Sequence, residues 1–465
     1  MAIDTIAESE AEALETGFRG TILTPDDPEY DGAREVWNGM IDERPALVAR
    51  PTGVTDVRAA VAFAREHGRS VAVRGGGHGV AGTAVADDSV VVDLSGMTGV
   101  LVDPDEGVAQ VQGGATWGDV DHETRTFGLV VPGGVVSTTG VAGLTLGGGY
   151  GWTRRLWGLT CDNLRAAEVV TADGEVRRAS ADENEDLFWA LRGGGGNFGV
   201  VTCFEFDCHE LGPEVYFLGT FYPLDDAEHV IRRWYEFVDD APREVTADVV
   251  LWTAPDHAPF PEELHGTPFV ATMGMYAGPV EDGEEAMAPL RELSTPLLDI
   301  SDPMPYVAVQ SMLDEYFPSG DRYYWKSHYL PDLNEDAVRT IAEYAGRRPS
   351  SRSVIPIRAR GGAIADVDPE ATAFGERSAP VLLSIDGTWA DPAEDEANVE
   401  WVQSFWDAMR PHSTGEEYAN FAMFDAEEER ASFGGNAERL REVKARYDPE
   451  NLFRHNANVR PSETA

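Results

Sequence analysis

Three glycine-rich tracts carry the strongest chemical signal in this sequence. Residues 75–86 and 193–204 are uncharged and hold five glycines each, and residues 126–153 are uncharged with nine glycines, out of 48 in the chain. Glycine lets backbone N–H groups approach a ligand closely and adopt left-handed conformations. Such tracts suit a large anion such as a dinucleotide, because they offer N–H donors and no repelling carboxylates.

Two structural explanations compete with ligand binding. A membrane span over residues 126–153 is disfavoured because nine glycines and Pro132 would make a poor helix. Buried turns that only pack tightly remain open as an alternative. A Rossmann site is disfavoured too: Gly77-x-Gly79-x-x-Gly82 matches its fingerprint, but residues 83–88 lead into another strand rather than into a helix that could hold a pyrophosphate.

The elements that position these tracts form an α+β pattern. Before Gly212-Pro213 the periodicity predicts helices at 55–67 and 184–191, and strands at 70–74, 90–94, 108–111, 164–171 and 199–206. After it, strands at 246–252, 269–275 and 381–385 alternate with helices at 225–238 and 284–293, separated by proline-rich loops at 254–261 and 301–305. A charged helix at 426–446 ends before Asp448-Pro449.

Charge and cysteine content exclude several classes of protein. With 36 Lys+Arg against 82 Asp+Glu the net charge is −46, which disfavours nucleic acid and membrane surfaces as partners. Only Lys326 and Lys444 are lysines, and so acidic a surface predicts the cytoplasm of a salt-accumulating organism, although high solubility alone would also account for it. Three cysteines without C-x-x-C spacing predict neither a disulfide framework nor a metal site. The N-terminus shows no export signal, and the chain no internal repeat.

Four motifs in fixed order carry a family resemblance: RGGGHG at 74–79, GGGYG at 147–151, CDN at 161–163 and GGGGNFGVVT at 193–202. A second group lies near the C-terminus, with YAN at 418–420, KARYDPENLF at 444–453 and NAN at 456–458. In these motifs the chain resembles the FAD-linked oxidases of the vanillyl-alcohol-oxidase (PCMH-type) superfamily, in the berberine-bridge-enzyme-like branch. The likeness covers residues 50–211 and the C-terminal segment, and is weak between about 213 and 415.

The resemblance implies an FAD-binding domain in two parts and a capping substrate domain with a mixed or antiparallel sheet covered by helices. The boundaries expected are 1–29 for an N-terminal segment, 30–212 for the FAD domain, 213–415 for the substrate domain, and 416–465 for a segment that returns to the FAD domain. The ligand cleft would lie between the two domains.

The resemblance also assigns FAD contacts. The family's histidine bonded covalently to the flavin 8α-methyl corresponds to His78. The remaining cofactor contacts are expected at Arg74, Gly75, Gly76, Gly77 and Gly79 for the pyrophosphate; at Thr138, Thr139, Gly143, Gly147 and Gly149 along the cleft; at Val200 and Val201 through main chain; and at Asn163, Asn420, Asn456 and Asn458 near the ring. Val136 stands where some relatives carry a second, cysteinyl flavin bond, so a single attachment is expected, and Cys161 is interpreted as a small buried residue.

The implied reaction is transfer of a hydride from a C–H of a small alcohol, sugar or amine to flavin N5, with reoxidation by O2 to give H2O2. Candidate catalytic residues are Tyr150 and Tyr418, or Tyr324 with Lys326 lowering its pKa. In some relatives the base is a tyrosine following the Tyr-x-Asn motif, but here that residue is Phe421. Glu376 is expected to be a solvated glutamate rather than a substrate-domain acid. Aromatic walls are predicted from Trp252, Tyr276, Tyr306, Tyr323, Tyr324 and Trp325, which could equally be core.

Three alternatives remain beside the oxidase. One is a dehydrogenase of the same fold that passes electrons to another acceptor, and a second is a flavin-binding protein without turnover. An NAD-dependent Rossmann enzyme comes last. The substrate and the oligomeric state are not predicted.

Overall fold

A computed structural model describes residues 14–15, 17–423 and 433–462 of the chain. The part of the chain before residue 212 builds two larger sheets and a separate two-stranded one. The first has the order β1-β2-β4-β3, from β1 (Thr21–Leu23), β2 (Leu47–Arg50), β3 (Val71–Arg74) and β4 (Val90–Asp93). The strands β2, β4 and β3 run parallel. No helix separates the first glycine tract from β4, which is why the Rossmann arrangement is absent there.

The second sheet is antiparallel, with the order β5-β6-β10-β8-β9. Its strands are β5 (Val100–Asp103), β6 (Val108–Gln112), β8 (Leu164–Val170), β9 (Val176–Ser180) and β10 (Val200–Asp207), and the short strands β7 (Leu129–Val130) and β11 (His209–Glu210) pair beside it. The helices of this part are α1 (Tyr30–Arg34), α2 (Val54–Glu66), α3 (Trp117–Thr124), α4 (Val141–Leu146), α5 (Arg154–Trp157) and α6 (Glu185–Leu191).

Local sequence explains two of these helices well. Helix α2 buries Val57, Val61 and Ala64 on one face, as its spacing predicts. Helix α3 begins with a capping box in which the Thr116 hydroxyl and the Asp119 carboxylate satisfy each other's backbone N–H groups.

An eight-stranded antiparallel sheet dominates the rest of the molecule, with the order β15-β12-β14-β13-β18-β19-β17 and β16 paired on β12. The strands are β12 (Glu214–Pro223), β13 (Val245–Thr253), β14 (Pro268–Tyr276), β15 (Leu298–Asp299), β16 (Asp302–Pro305), β17 (Arg322–Leu330), β18 (Ile355–Ala359) and β19 (Val381–Trp389). The helices are α7 (Ala227–Asp240), α8 (Val280–Arg291), α9 (Tyr306–Ser311), α10 (Glu335–Ala345), α11 (Ala363–Asp366) and α12 (Asp395–Met409).

The helices α7, α8, α10 and α12 cover one face of this sheet, and the other face borders the functional cleft and packs on α9 at the β12 end. Val249 and Leu251 of β13 pack against Trp234 of α7, Ile341 of α10 and Phe405 of α12 in the largest hydrophobic core. Because strand residues alternate between faces, the intervening positions of β13 point to the opposite side. The expected α+β class with a helix-covered sheet is therefore confirmed.

Two predicted elements differ from the structure. Residues 301–305 were expected to be a loop, but β16 pairs with β12 there; prolines are tolerated because it is an edge strand. The C-terminal helix α13 (Ala437–Tyr447) ends at the predicted place but begins later than residue 426, and residues 424–432 lie outside the described residues. The predicted domain boundaries stay predictions.

Helix α3 packs against α9 where the two halves of the molecule meet. The carboxyl of Asp121 is 3% exposed, and neither of its oxygens has a hydrogen-bond partner among the described residues. Arg125 lies nearby, donates to the carbonyl of Leu211 at 2.9 Å and stands 5.8 Å from the ring centroid of Tyr306. Burial raises the pKa of Asp121 to about 8, and Arg125 opposes the rise. The carboxyl is therefore mostly protonated at neutral pH.

Within the described residues, the helices are all too short or too polar to cross a membrane.

Candidate functional site

A cleft lies where the glycine tracts, the C-terminal segment and the face of the eight-stranded sheet opposite α7, α10 and α12 meet. Its empty space, including the mouth, is about 2270 Å³. One wall is formed by backbone from all three tracts, and the far wall by side chains of β13, β14, β17, β18 and β19. The cleft therefore combines a backbone-lined part with a part lined by side chains.

The tracts approach one another so closely that side chains are excluded. A Cβ atom on Gly76 would lie 2.6 Å from the Cα atom of Gly140, and one on Gly140 would lie 2.4 Å from the nitrogen of Gly76. A Cβ on Gly147 would lie 2.1 Å from Oδ1 of Asn420 in the C-terminal segment. The glycines are thus required by contacts between distant parts of the chain, in addition to any contact with a ligand.

His78 lies in this cleft with a neutral, stacked imidazole. Its ring is parallel to the indole of Trp37, with 4.3 Å between centroids and 16° between planes. Its Nε2 atom is buried and has no hydrogen-bond partner among the described residues. Burial lowers the pKa of His78 to about 4, although a backbone hydrogen bond opposes the change. A neutral imidazole with a free lone pair is the form that can act as a nucleophile.

Trp37 belongs to a segment that joins the first glycine tract to the large sheet. Its indole also stacks on the ring of Tyr323, at 3.6 Å and 14°, and its Nε1 donates to the carbonyl of Phe317 at 2.9 Å. The Asn38 amide donates to the carbonyls of Val80 and Tyr323 at 2.7 and 2.8 Å. This segment holds the imidazole between two parts of the fold.

Tyr418 and Tyr150 stand edge to face in the cleft, with 4.7 Å between ring centroids. The Tyr418 hydroxyl accepts from the N–H of Gly149 at 3.0 Å and from the Asn420 amide at 2.9 Å. The Tyr150 hydroxyl accepts from Nε of Arg360 at 2.8 Å. Burial raises the pKa of Tyr418 well above its ordinary value, so its hydroxyl remains protonated at neutral pH.

Asp386 is a site residue that the sequence prediction missed. It lies on β19 and is 2% exposed, and its Oδ1 accepts a hydrogen bond from Ser384. Burial raises the pKa of Asp386 to about 6, against the opposing effect of Arg358. The available signal was one charged residue in the otherwise uncharged strand VLLSIDGTW. Its pKa suits a base that works near neutral pH.

Two other charged groups line the same wall. Asp248 of β13 forms a buried ion pair with Arg154 and accepts from the N–H of Ala359 at 3.0 Å. Arg358 of β18 has its guanidinium 4.8 Å from the ring centroid of Phe421. Asp248 is therefore paired directly with Arg154, whereas Asp386 forms no ion pair among the described residues and has only the longer-range attraction of Arg358.

The structure brings most of the predicted cofactor contacts to this cleft. Its lining includes Gly75, Gly76, Gly77, His78, Gly79, Thr139, Gly143, Gly147, Val201, Asn420 and Asn456, together with Tyr150 and Tyr418. Val136, at the position of the missing second flavin bond, also lines it. Predicted contacts that lie beside the cleft rather than in its lining are Arg74, Thr138, Gly149, Asn163, Val200 and Asn458.

Several of these neighbours have a structural partner. Arg74 donates to the carbonyl of Ala33 at 2.7 Å. The Asn163 amide donates to the carbonyl of Leu159 at 2.8 Å, and its Oδ1 lies 2.6 Å from Nε2 of His209. Cys161 is buried, as predicted.

Tyr324 and Lys326 are not brought to the cleft. They lie on the helix-covered face of β17: Tyr324 accepts from the Gln403 amide at 3.1 Å, and Nζ of Lys326 is 4.4 Å from the ring centroid of Trp406. Strand alternation puts Trp325 in the cleft instead. Trp252 also lines the cleft, whereas Tyr276, Tyr306 and Tyr323 belong to hydrophobic cores.

The expectation that Glu376 is solvated is wrong. Its side chain is 10% exposed, and Oε1 accepts from the N–H groups of Ser378 and Ala379 at 2.7 and 2.8 Å. Glu376 therefore closes a local turn.

A buried ion pair anchors the C-terminal segment beside the third tract. Nζ of Lys444 donates to Asp448 at 2.6 Å, to the carbonyl of Asn197 at 2.7 Å and to the carbonyl of Phe453 at 2.9 Å. Burial lowers the pKa of Lys444 to about 8, although Asp448 opposes the change. Asn456, whose Oδ1 is buried without a partner among the described residues, is held nearby.

These residues fit FAD. The cleft supplies backbone N–H groups from uncharged tracts for a pyrophosphate. It also offers an unpartnered Nε2 on His78 and an unpartnered Oδ1 on Asn456, which a polar flavin ring could satisfy.

Comparisons with known proteins agree with this assignment. A model of the FAD binding domain matches residues 45–180, and the berberine and berberine-like model matches residues 417–460. The FAD-linked oxidoreductase YgaK of Bacillus subtilis is 30% identical over 456 residues, which cover 96% of this chain and 98% of that protein. The (R)-6-hydroxynicotine oxidase of Paenarthrobacter nicotinovorans is 29% identical over 465 residues, covering 97% and 98%.

Solved structures give the same result. The crystal structure of 6-hydroxy-D-nicotine oxidase from Arthrobacter nicotinovorans superposes with a TM-score of 0.86 at 27% identity, covering 95% of this chain and 98% of the other. The resemblance read from the sequence motifs is thus confirmed, and this chain is an enzyme of the berberine-bridge-like family of FAD-linked oxidoreductases.

Proposed function

We propose that this protein is an oxidase that removes a hydride from a C–H bond of a small alcohol, sugar or amine. The observation that carries the proposal is a single cleft with His78 and the glycine tracts on one side and the buried carboxylate of Asp386 on the other. FAD, when bound, accepts the hydride and passes two electrons to O2, which gives H2O2. Relatives that share the fold are named as oxidases of nicotine derivatives and of oligosaccharides.

In this proposal His78 provides the single covalent attachment. Its low pKa keeps the imidazole neutral, and stacking on Trp37 fixes the ring plane. Nε2 of His78 would hold FAD through a bond to its 8α-methyl carbon; that carbon would lose a proton, and the two electrons left on the flavin would pass to O2. Val136 offers no second attachment.

Asp386 takes the role of base that the sequence assigned to tyrosines. A base accepts the O–H or N–H proton of the substrate as the hydride leaves, and it works best when its pKa is close to the ambient pH. Burial raises the pKa of Asp386 to about 6 and that of Tyr418 far above neutrality. Tyr418 and Tyr150 then act as hydrogen-bonding neighbours. The cytoplasm of a salt-accumulating organism remains the proposed location.

The attachment is tested on denatured protein. Wild type purified in molar salt, acid-precipitated and run on a denaturing gel should fluoresce under ultraviolet light, and His78→Ala should not. His455→Ala is the matched control, because it removes another imidazole that lines the same cleft, and it should keep its fluorescence. Colourless wild type that FAD does not restore would refute the flavoprotein function.

Turnover is tested with a panel of alcohols, sugars and amines and with peroxide detection. Asp386→Asn should lower kcat/KM by about 10²–10⁴-fold and abolish the loss of activity on the acidic side of the wild-type pH profile. Reduction of an artificial dye without peroxide formation would favour the dehydrogenase alternative.

A further inference from the structure

Arg358 is a buried cation whose guanidinium has no hydrogen-bond acceptor among the described residues. Its side chain is 8% exposed and lines the cleft, and Nη1 is buried without a hydrogen-bond partner. The contact that holds it is the face of Phe421. A buried charge without a partner costs free energy, so such a group in a ligand cleft indicates that the ligand supplies the acceptor.

The carboxylates around Arg358 attract its guanidinium but do not accept a hydrogen bond from it. Asp248 and Asp386 attract the guanidinium, and Arg154 repels it. Asp248, however, is already occupied by Arg154 and by the N–H of Ala359. Asp386 is therefore the one carboxylate of the described cleft lining that is left to balance Arg358, and the oxidation proposed above employs it as the base.

Other donors that line the cleft also lack acceptors. The indole Nε1 atoms of Trp252 and Trp325, on the same wall as Arg358, and of Trp152, in the second glycine tract, are buried without hydrogen-bond partners among the described residues. Indole and guanidinium groups donate but do not accept. The cleft around Arg358 therefore offers several unpaired donors on aromatic side chains.

We infer that the substrate is an anion: a small carboxylic acid that also carries the alcohol or amine to be oxidised, with its carboxylate on Arg358 and an apolar part against Trp252 and Trp325. This inference rests on the proposed oxidase function and specifies its substrate class. Planar guanidinium groups favour carboxylates because two N–H donors can bind both oxygens.

The reaction balances for a hydroxy acid: R–CH(OH)–COO⁻ + O2 gives R–CO–COO⁻ + H2O2. The C–H bond breaks with its electron pair transferred to FAD, the hydroxyl proton passes to Asp386, and the C=O double bond forms. O2 then receives two electrons and, from FAD and Asp386, the two protons. The carboxylate is unchanged and serves for binding and orientation.

High ionic strength would allow an anionic substrate to approach this acidic protein. A net charge of −46 repels anions from a distance in dilute buffer. At molar ionic strength the Debye length falls to about 3 Å, which removes this repulsion but screens a buried ion pair much less.

The test compares a carboxylate with a neutral analogue of similar shape. Phenylacetate and phenylacetamide are titrated into the FAD-loaded protein in molar salt, with the flavin absorption spectrum and tryptophan fluorescence as independent readouts. Wild type should bind phenylacetate at least about tenfold more tightly. Arg358→Gln should remove that preference, and Arg358→Lys should keep part of it. Arg233→Gln, which changes an exposed arginine of α7, should behave as wild type.

The remaining outcomes separate a failure of the carboxylate inference from a failure of the proposed oxidase function. Equal affinity of wild type for the two probes overturns it, while turnover of neutral alcohols would leave the oxidase function standing. If Arg358→Gln loses FAD or shifts the flavin spectrum without a probe, the guanidinium serves the cofactor and the inference fails. If that variant does not fold, the wild-type comparison and Arg358→Lys decide. A protein without FAD or turnover overturns the proposed function itself, whichever probe it binds.

Discussion

Replacing Asp121 by Asn should remove a pH-dependent loss of stability from the junction of α3 and α9. The buried carboxyl has its pKa raised to about 8, so the native state binds this proton more tightly than the unfolded chain. Its stabilising effect is complete below the unfolded pKa, near 4, and is lost as pH rises through about 8. Asn is neutral at every pH and nearly isosteric, so the variant lacks this dependence.

The magnitude follows from the shift. About 4 pKa units at 1.36 kcal/mol each correspond to roughly 5 kcal/mol. Only about 4 kcal/mol of this falls between pH 5 and pH 9, because the unfolded carboxyl already titrates near pH 4, and relaxation around the newly charged group leaves about 2–4 kcal/mol. The unfolding entropy is about 2.1 cal/mol/K per residue. If all 465 residues unfold cooperatively, the Tm changes by roughly 1 °C for each kcal/mol.

The assay is the Tm of wild type and Asp121→Asn from pH 5 to pH 9 at constant molar salt. The wild-type Tm should fall relative to the variant by about 2–4 °C and level off above pH 8. Other titrating groups are common to both proteins and cancel in the difference. Asp182→Asn, at an exposed carboxylate, should show no such trend. A pH-independent difference for Asp121→Asn would refute the assignment of a protonated buried acid.

Three further substitutions test the cleft and its supports. Trp37→Leu should slow covalent attachment of added FAD about tenfold, because the imidazole of His78 is no longer held by stacking, whereas Trp37→Phe should retain most of the rate. Equal in-gel fluorescence time courses for wild type and Trp37→Leu would count against a role of stacking. Lys444→Met should cost about 3–5 kcal/mol in thermal unfolding because Asp448 is left buried and unpaired, and adding Asp448→Asn should recover part of it. Gly140→Ala should lower Tm by several degrees or abolish soluble protein, because its Cβ would meet glycine backbone, while Gly143→Ala, with nothing within 4 Å, should keep its Tm.

The backbone-lined half of the cleft was predictable because its signal is local. Absence of charge and abundance of glycine are properties of short stretches, and the structure uses them in the approach of Gly76 to Gly140. His78 could be identified for the same reason, since its motif is contiguous. Alternating and helical patterns also located most of the elements that carry these tracts.

The side-chain half was not predictable, because strand alternation says which residues share a face but not which face meets the cleft. Tyr324 and Lys326 share the face opposite Trp325, and that face is taken by helix α12. Asp386 and Arg358 come together from strands 28 residues apart in the chain, and their burial depends on the packing of a whole sheet. The side chain of Glu376 is held in a turn by the N–H groups of Ser378 and Ala379, which its own sequence did not reveal.

The anchoring of Lys444 to Asn197 also governs the order in which the protein can mature. The two residues are 247 positions apart, and the N–H of Val459 reaches the same asparagine across 262. At about 5–20 residues per second, a ribosome needs on the order of 10–50 s to travel from one partner to the other. During that interval the nascent chain has its glycine tracts but not the segment that closes over them. Completion of the cleft therefore waits until residues 444–459 have been made, and a translation product truncated before them lacks a completed binding cleft.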